Sequence, residues 1–106
     1  MKIIVSDRAD FQLKSTALYI QAEFGGKFRA RFVNEFRHVL SLLRKHPRLG
    51  SVEPLLEGLP REYRSIVFGH VNKLVYPIQQ DTISVVDLWD TRRDPEALST
   101  GVKKEP

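Results

Sequence analysis

Cysteine is absent from the 106 residues of this chain. That excludes disulfide frameworks, thiolate zinc sites and cysteine nucleophiles. Long apolar runs are missing too. No stretch approaches the ~20 apolar residues of a membrane helix. The N-terminus, MKIIVSDRAD, offers three consecutive apolar residues, too few for a signal peptide. A soluble, cytoplasmic protein without membrane contact is expected. No GxSxG elbow, Walker loop or dinucleotide fingerprint occurs. The three histidines, His38, His46 and His70, are not at metal-ligand spacing and read as surface residues. No metal and no cofactor is therefore expected. Carboxylates at a fixed catalytic spacing are also lacking. Asp87 and Asp90 stand three apart on a strand, so they point to opposite faces. Asp87 reads as half-buried and paired with an arginine.

What is present is a globular composition, 42% hydrophobic and 28% charged. The length suits one domain over residues 1–106 with one modest core. The net charge of +4 suits an acidic partner or nucleic acid, although many small soluble proteins are as basic. KIIV (Lys2 to Val5) reads as a buried strand closed by Ser6 and Asp7, either of which can cap a helix. That helix runs to about Phe24, with Leu13, Ala17, Ile20 and Phe24 on one face. Gly25-Gly26 breaks it. A second helix is predicted from about Lys27 to Lys45. Its apolar stripe is Phe28, Phe32, Phe36, Val39, Leu40 and Leu43, opposite Arg31, Asn34, His38, Ser41 and Lys45. The short link makes the two helices an antiparallel hairpin. HPRLG ends it. Strands follow at Tyr63 to Phe68, Lys73 to Ile78 and Ile83 to Asp90, a β-meander in which Pro77 demands a bulge or a free position. The order implies an α+β, two-layer fold, with the hairpin covering one sheet face. Phe28, Phe32, Phe36, Ile20, Leu40, Val75 and Val86 are expected to be buried. The tail, about 97–106, is polar and expected to fray.

The cations are the best chemical lead. Arg64 sits on the first meander strand, Lys73 opens the second, and Arg92 and Arg93 follow the third. In a meander these can converge at one sheet end. Arginine's planar fork suits phosphate or carboxylate. The alternative is that Arg92 and Arg93 pair with Asp90, Asp94 or Glu96 and tie down the C-terminus. The residues alone leave both open.

Four stretches in order, spanning about residues 2 to 97, resemble the ParE/RelE toxin superfamily of type II toxin–antitoxin and plasmid-stabilisation modules. They are the strand and hairpin, KIIVSDRADFQLKSTALYI into KFRARFVNEFRHVLSLLRKHPRLG; the helix exit HPRLG; the strand pair YRSIVF…NKLVYPI; and the ending LWDTRRDPEAL. The resemblance implies a mostly antiparallel sheet with the N-terminal strand beside the last one. It implies a cognate antitoxin partner, in a hetero-oligomer, binding across the hairpin and a sheet edge. An acidic, partly disordered tail that folds on binding suits a basic chain with an amphipathic hairpin.

Two branches imply different activities. In the RelE-like branch, ribosome-dependent mRNA endonucleases, Arg64, Lys73 and Arg92 match basic catalytic positions, and Tyr76 or Asp90 would have to carry protons. Leu98 falls where that branch has its catalytic tyrosine, Ile66 where it has a second lysine, and Asn72 replaces the first tyrosine of its strand motif. Leucine moves no proton, and RNA cleavage needs an acid and a base. The Arg-Arg-Asp-Pro ending is the ParE-like form, which implies a non-enzymatic inhibitor of DNA gyrase. Arg64, Lys73 and Arg92 would then be toxicity residues, with Arg93, Asp90 and Asp94 as structural anchors. A degenerate, non-toxic family member is the third reading.

Overall fold

The computed structural model of the chain describes residues 1–69 and 71–91. The expectations for His70, for the Arg92–Arg93 pair, for Asp94 and for the tail lie outside these residues. β1 (Lys2–Val5) leads into α1 (Asp7–Phe24). Ser6 ends one and starts the other: its backbone is extended, and its hydroxyl accepts a hydrogen bond from the Ala9 amide at 3.0 Å. Asp7 and Asp10 place negative charge in the first turn, where the helix dipole favours it. α2 (Gly26–Lys45) starts almost at once, because Gly25 turns the chain at φ 98°, a conformation that side chains disfavour. Arg44 and Lys45 occupy its last turn, the favourable end for cations.

After the hairpin come β2 (Ser51–Val52), a 3₁₀ turn (Pro54–Leu56), β3 (Tyr63–Phe68), β4 (Asn72–Gln79), β5 (Thr82–Val85) and β6 (Asp87–Asp90). The sheet order is β1-β5-β4-β3-β2, and β6 pairs with β4. β1 runs parallel to β5, and all other pairs are antiparallel. The architecture is thus an α+β fold with an N-terminal strand, a helical hairpin and a mixed sheet, as expected. The N-terminal strand does lie beside the last part of the meander.

The stretch from Ile83 to Asp90 is two strands and not one. Ile78 pairs with Ile83, yet Val75 pairs with Asp87. Tyr76 and Pro77 therefore stand opposite Ser84, Val85 and Val86, and the extra residue is a bulge facing the proline, which has no amide hydrogen to donate. The Val86 amide donates to the Val75 carbonyl at 3.0 Å. The bulge resets the alternation. Val85 and Leu88 both face the hairpin, while Val86 and Trp89 join a second, smaller cluster with Leu56, Tyr63 and Val75 on the far face.

Under the hairpin, Phe32 and Phe36 close on Phe68, with ring centroids 5.7 and 6.1 Å away. Val75 and Val86 are also buried, and Ile20 and Leu40 are half-buried. Phe28 contradicts its expected place: it is 49% exposed. It sits in the first turn of α2, at the hairpin tip, with its ring centroid 6.1 Å from that of Phe24, itself 61% exposed. Helical periodicity assigns a face, but a face is buried only where the sheet reaches under it.

Candidate functional site

Two polar clusters straddle β3 and β4, one on each side of the sheet. The first secures the exit from α2. Pro47 ends the helical path, and the chain must then pass close over β3 and β4. Gly50 permits that approach, since a Cβ there would lie 2.7 Å from the Ser65 carbonyl oxygen and 2.8 Å from the Tyr76 hydroxyl. The Tyr76 hydroxyl accepts from the Gly50 amide at 3.0 Å and donates to the Pro47 carbonyl at 2.8 Å. Arg64 Nη1 donates to the Gly50 carbonyl at 2.8 Å, and its Nη2 pairs with Glu62 at 3.1 Å. Tyr76 is fully buried, which raises its pKa against the smaller opposing effects of the Gly50 amide and the Arg64 charge. Gly50→Ala is expected to cost about 1–3 kcal/mol, the usual cost of forcing atoms into a packed site. Urea unfolding checks this, and an unchanged midpoint would contradict the described contact.

The second cluster lies on the far face. Glu53 is 1% exposed. Burial pushes its pKa up, but the Ser65 hydroxyl, Lys73 and the Leu55 amide together hold it below the usual carboxylate value. Ser65 Oγ donates to Glu53 Oε2 at 2.5 Å, and Lys73 Nζ reaches the same oxygen at 2.9 Å. Oε1 accepts from Leu55 at 3.3 Å, capping the 3₁₀ turn.

Arg64 and Lys73 do not converge. Arg64 pairs with Tyr76 and Lys73 with Val67 across one regular ladder. Residues 64 and 67 are three apart, so Arg64 projects on the hairpin side and Lys73 on the far side. Asp90, at the end of β6, is half-buried. Asp87 is fully buried, deeper than expected, and its arginine is Arg8 of α1, at 3.2 Å. His38 and His46 are exposed. Among the described residues, no group of side chains is arranged to hold a metal ion. No helix there is long and apolar enough to cross a membrane.

A third feature was missed from the sequence. A groove of about 1070 Å³ runs between α1, α2 and the ends of β4 and β6. Aromatic residues line it: Phe11 and Tyr19 of α1, and Phe24 and Phe28 at the tip. Phe11 is 72% and Tyr19 61% exposed. Exposed aromatics gathered along one groove make it a candidate interaction surface. The available signal was that Phe11 and Tyr19 lie off the face formed by Leu13, Ala17 and Ile20.

The family model for the ParE toxin of type II toxin–antitoxin system, parDE, matches residues 3–95. The chain belongs to the ParE toxin family. The match spans both polar clusters, the groove and the Arg-Arg-Asp-Pro ending. The fold is similar to that of a chain in the chromosomal ParDE TA system from P. aeruginosa, with a TM-score of 0.70 over 85% of this chain and 95% of that one. At 12% identity that likeness shows the fold alone. No match was found among curated proteins. As a ParE family member, the protein is the toxin component of a toxin–antitoxin module.

Proposed function

We propose that this ParE family toxin arrests growth in the cytoplasm by binding DNA gyrase, without catalysis of its own, and that a cognate antitoxin neutralises it. The observation that carries the non-enzymatic reading is the commitment of the described nuclease candidates. Tyr76 is buried with its hydroxyl engaged twice, Lys73 is held by Glu53, and Arg64 is held by Gly50 and Glu62 on the other face. A phosphate-cleaving site needs its acid, base and cations around one atom. These side chains are divided between two faces and already occupied.

Induction in cells tests this with two readouts. Arrested replication with a DNA-damage response is the expected result. Codon-biased cleavage of translated messages would mark a RelE-type nuclease that acts with the ribosome. No growth effect would mark a member that has lost toxicity.

The antitoxin reading places a partner segment in the aromatic groove. Phe28→Asp should then leave the toxin active but no longer rescued by co-expressed antitoxin; full rescue would remove the groove from the interface. For the cationic ending, Arg92 is expected to act as the outward, functional arginine, so Arg92→Ala should reduce toxicity with a nearly unchanged melting temperature, as for any charge that acts from the surface. Arg93→Ala is expected to lower stability. A fully toxic Arg92→Ala, beside a stable but inert Arg93→Ala, would reverse the two roles.

A further inference from the structure

The charge of this protein is not spread evenly. The segment from Gly26 to Arg48 holds seven lysines and arginines and one carboxylate, Glu35, a net of +6 against +4 for the whole chain. The rest of the chain is therefore net acidic, and the basic character is a property of α2. Helical geometry concentrates it further. At 100° per residue, Lys27, Arg31 and Lys45 fall on one row of the solvent face, and Arg37 and Arg44 on the adjoining row. All five are exposed. Between the rows lie Ala30, Asn34 and Ser41, also exposed, which are short or hydrogen-bonding and leave room for close approach. Glu35, the one carboxylate of the helix, lies one turn beyond Arg31 at the edge of this face, beside Gly69. The described ion pairs involve Arg8, Lys14, Arg64 and Lys73, and none engages an α2 cation.

We infer that the solvent face of α2 is a binding surface for the phosphate backbone of duplex DNA. From Lys27 to Lys45 the stripe is about 27 Å long, at 1.5 Å per residue. A DNA strand presents a phosphate about every 3.4 Å along its axis, so a straight stripe of this length spans several. Two features separate this partner from an acidic protein. A protein interface needs large apolar or aromatic anchors at its centre, and the centre of this stripe has Ala30, Asn34 and Ser41. The exposed aromatics lie instead in the groove between the helices. The stripe's cations take no part in the described ion pairs, which leaves them available to a row of like charges. Binding through phosphates alone is independent of base sequence and depends strongly on salt. The inference holds whatever the toxin's cellular target is.

The test is fluorescence anisotropy of a labelled 30-base-pair duplex of arbitrary sequence, titrated with the full-length chain at several salt concentrations. With about four or five phosphates neutralised, the log–log salt slope should be about −4, so that affinity falls roughly two orders of magnitude from 50 to 200 mM salt. The double variant Arg37→Gln, Arg44→Gln should bind about tenfold or more weakly, and its slope should be shallower by about 2. Its melting temperature should stay at the wild-type value. Should it unfold, Arg37→Lys with Arg44→Lys keeps the charge and should keep the binding. Lys14→Gln, on α1, removes one charge elsewhere and should leave the affinity nearly unchanged. The inference is overturned by absence of duplex binding at 50 mM salt. It is equally overturned by a double variant that binds like wild type, by an equal loss in Lys14→Gln, or by tighter binding of single-stranded RNA or an acidic peptide than of the duplex.

Discussion

Phe36→Ala is expected to destabilise the protein by about 3–5 kcal/mol, the usual cost of truncating a buried aromatic. Phe36 is 5% exposed and belongs to the cluster that joins the hairpin to the sheet. Its ring packs on Phe68 of β3, beside Phe32. The core cluster around it is built from helix and strand residues. Domains of this size hold about 5–15 kcal/mol in total, so a large share of the stability would go. Phe28→Ala, two turns away on the same sequence stripe, should cost far less because the ring is half exposed. Urea denaturation of the two variants separates them. Equal losses would mean that the tip of α2 is packed as tightly as its middle.

The second large effect concerns Lys73. Lys73→Met is expected to cost up to about 3–5 kcal/mol, the range seen when one partner of a buried pair is removed. The side chain of Lys73 is 19% exposed and that of Glu53 only 1%, so the carboxylate is left with little water to replace the ammonium. Ser65 and the Leu55 amide still hold Glu53, which argues for the lower part of that range. The pH dependence has a definite sign. Glu53 is a carboxylate whose folded-state pKa is lowered. Its contribution is therefore fully present above the unfolded-state value, about 4.3, and is lost as pH falls through the lower folded-state value. Glu53→Gln should narrow its stability gap to wild type over that acid window and hold it constant above. A gap that widened toward acid would contradict the ionised, hydrogen-bonded carboxylate. Lys73→Met also bears on function. A Lys73 variant that loses toxicity only in proportion to its lost stability acts through the fold.

How much of this was legible in the sequence depends on range. The hairpin was readable because its signals are local: the Ser6 cap, the glycine break and two apolar stripes. Pro77 announced a disturbance in the sheet, and the bulge opposite it at Val85–Val86 is the form that disturbance took. The two-residue β2 is too short to show any periodicity, and with it went Glu53, whose partners Ser65 and Lys73 lie 12 and 20 residues away. The misplacement of Arg64 against Lys73 has a sharper cause. Whether two residues on paired strands share a face depends on the register set by the intervening turn. One residue of slip would have put them together. The family resemblance supplied the overall architecture, but a resemblance carries over positions and not the faces on which their side chains emerge.

The central claim is that this ParE family toxin acts on DNA gyrase by binding. The most direct measurement is a supercoiling assay with purified gyrase, relaxed plasmid and ATP, in the presence of the full-length toxin. The account predicts loss of supercoiling with accumulation of gyrase-cleaved plasmid, reversed when the cognate antitoxin is bound first. Full supercoiling at saturating toxin, together with cleavage of translated messages in a coupled translation reaction, would contradict it.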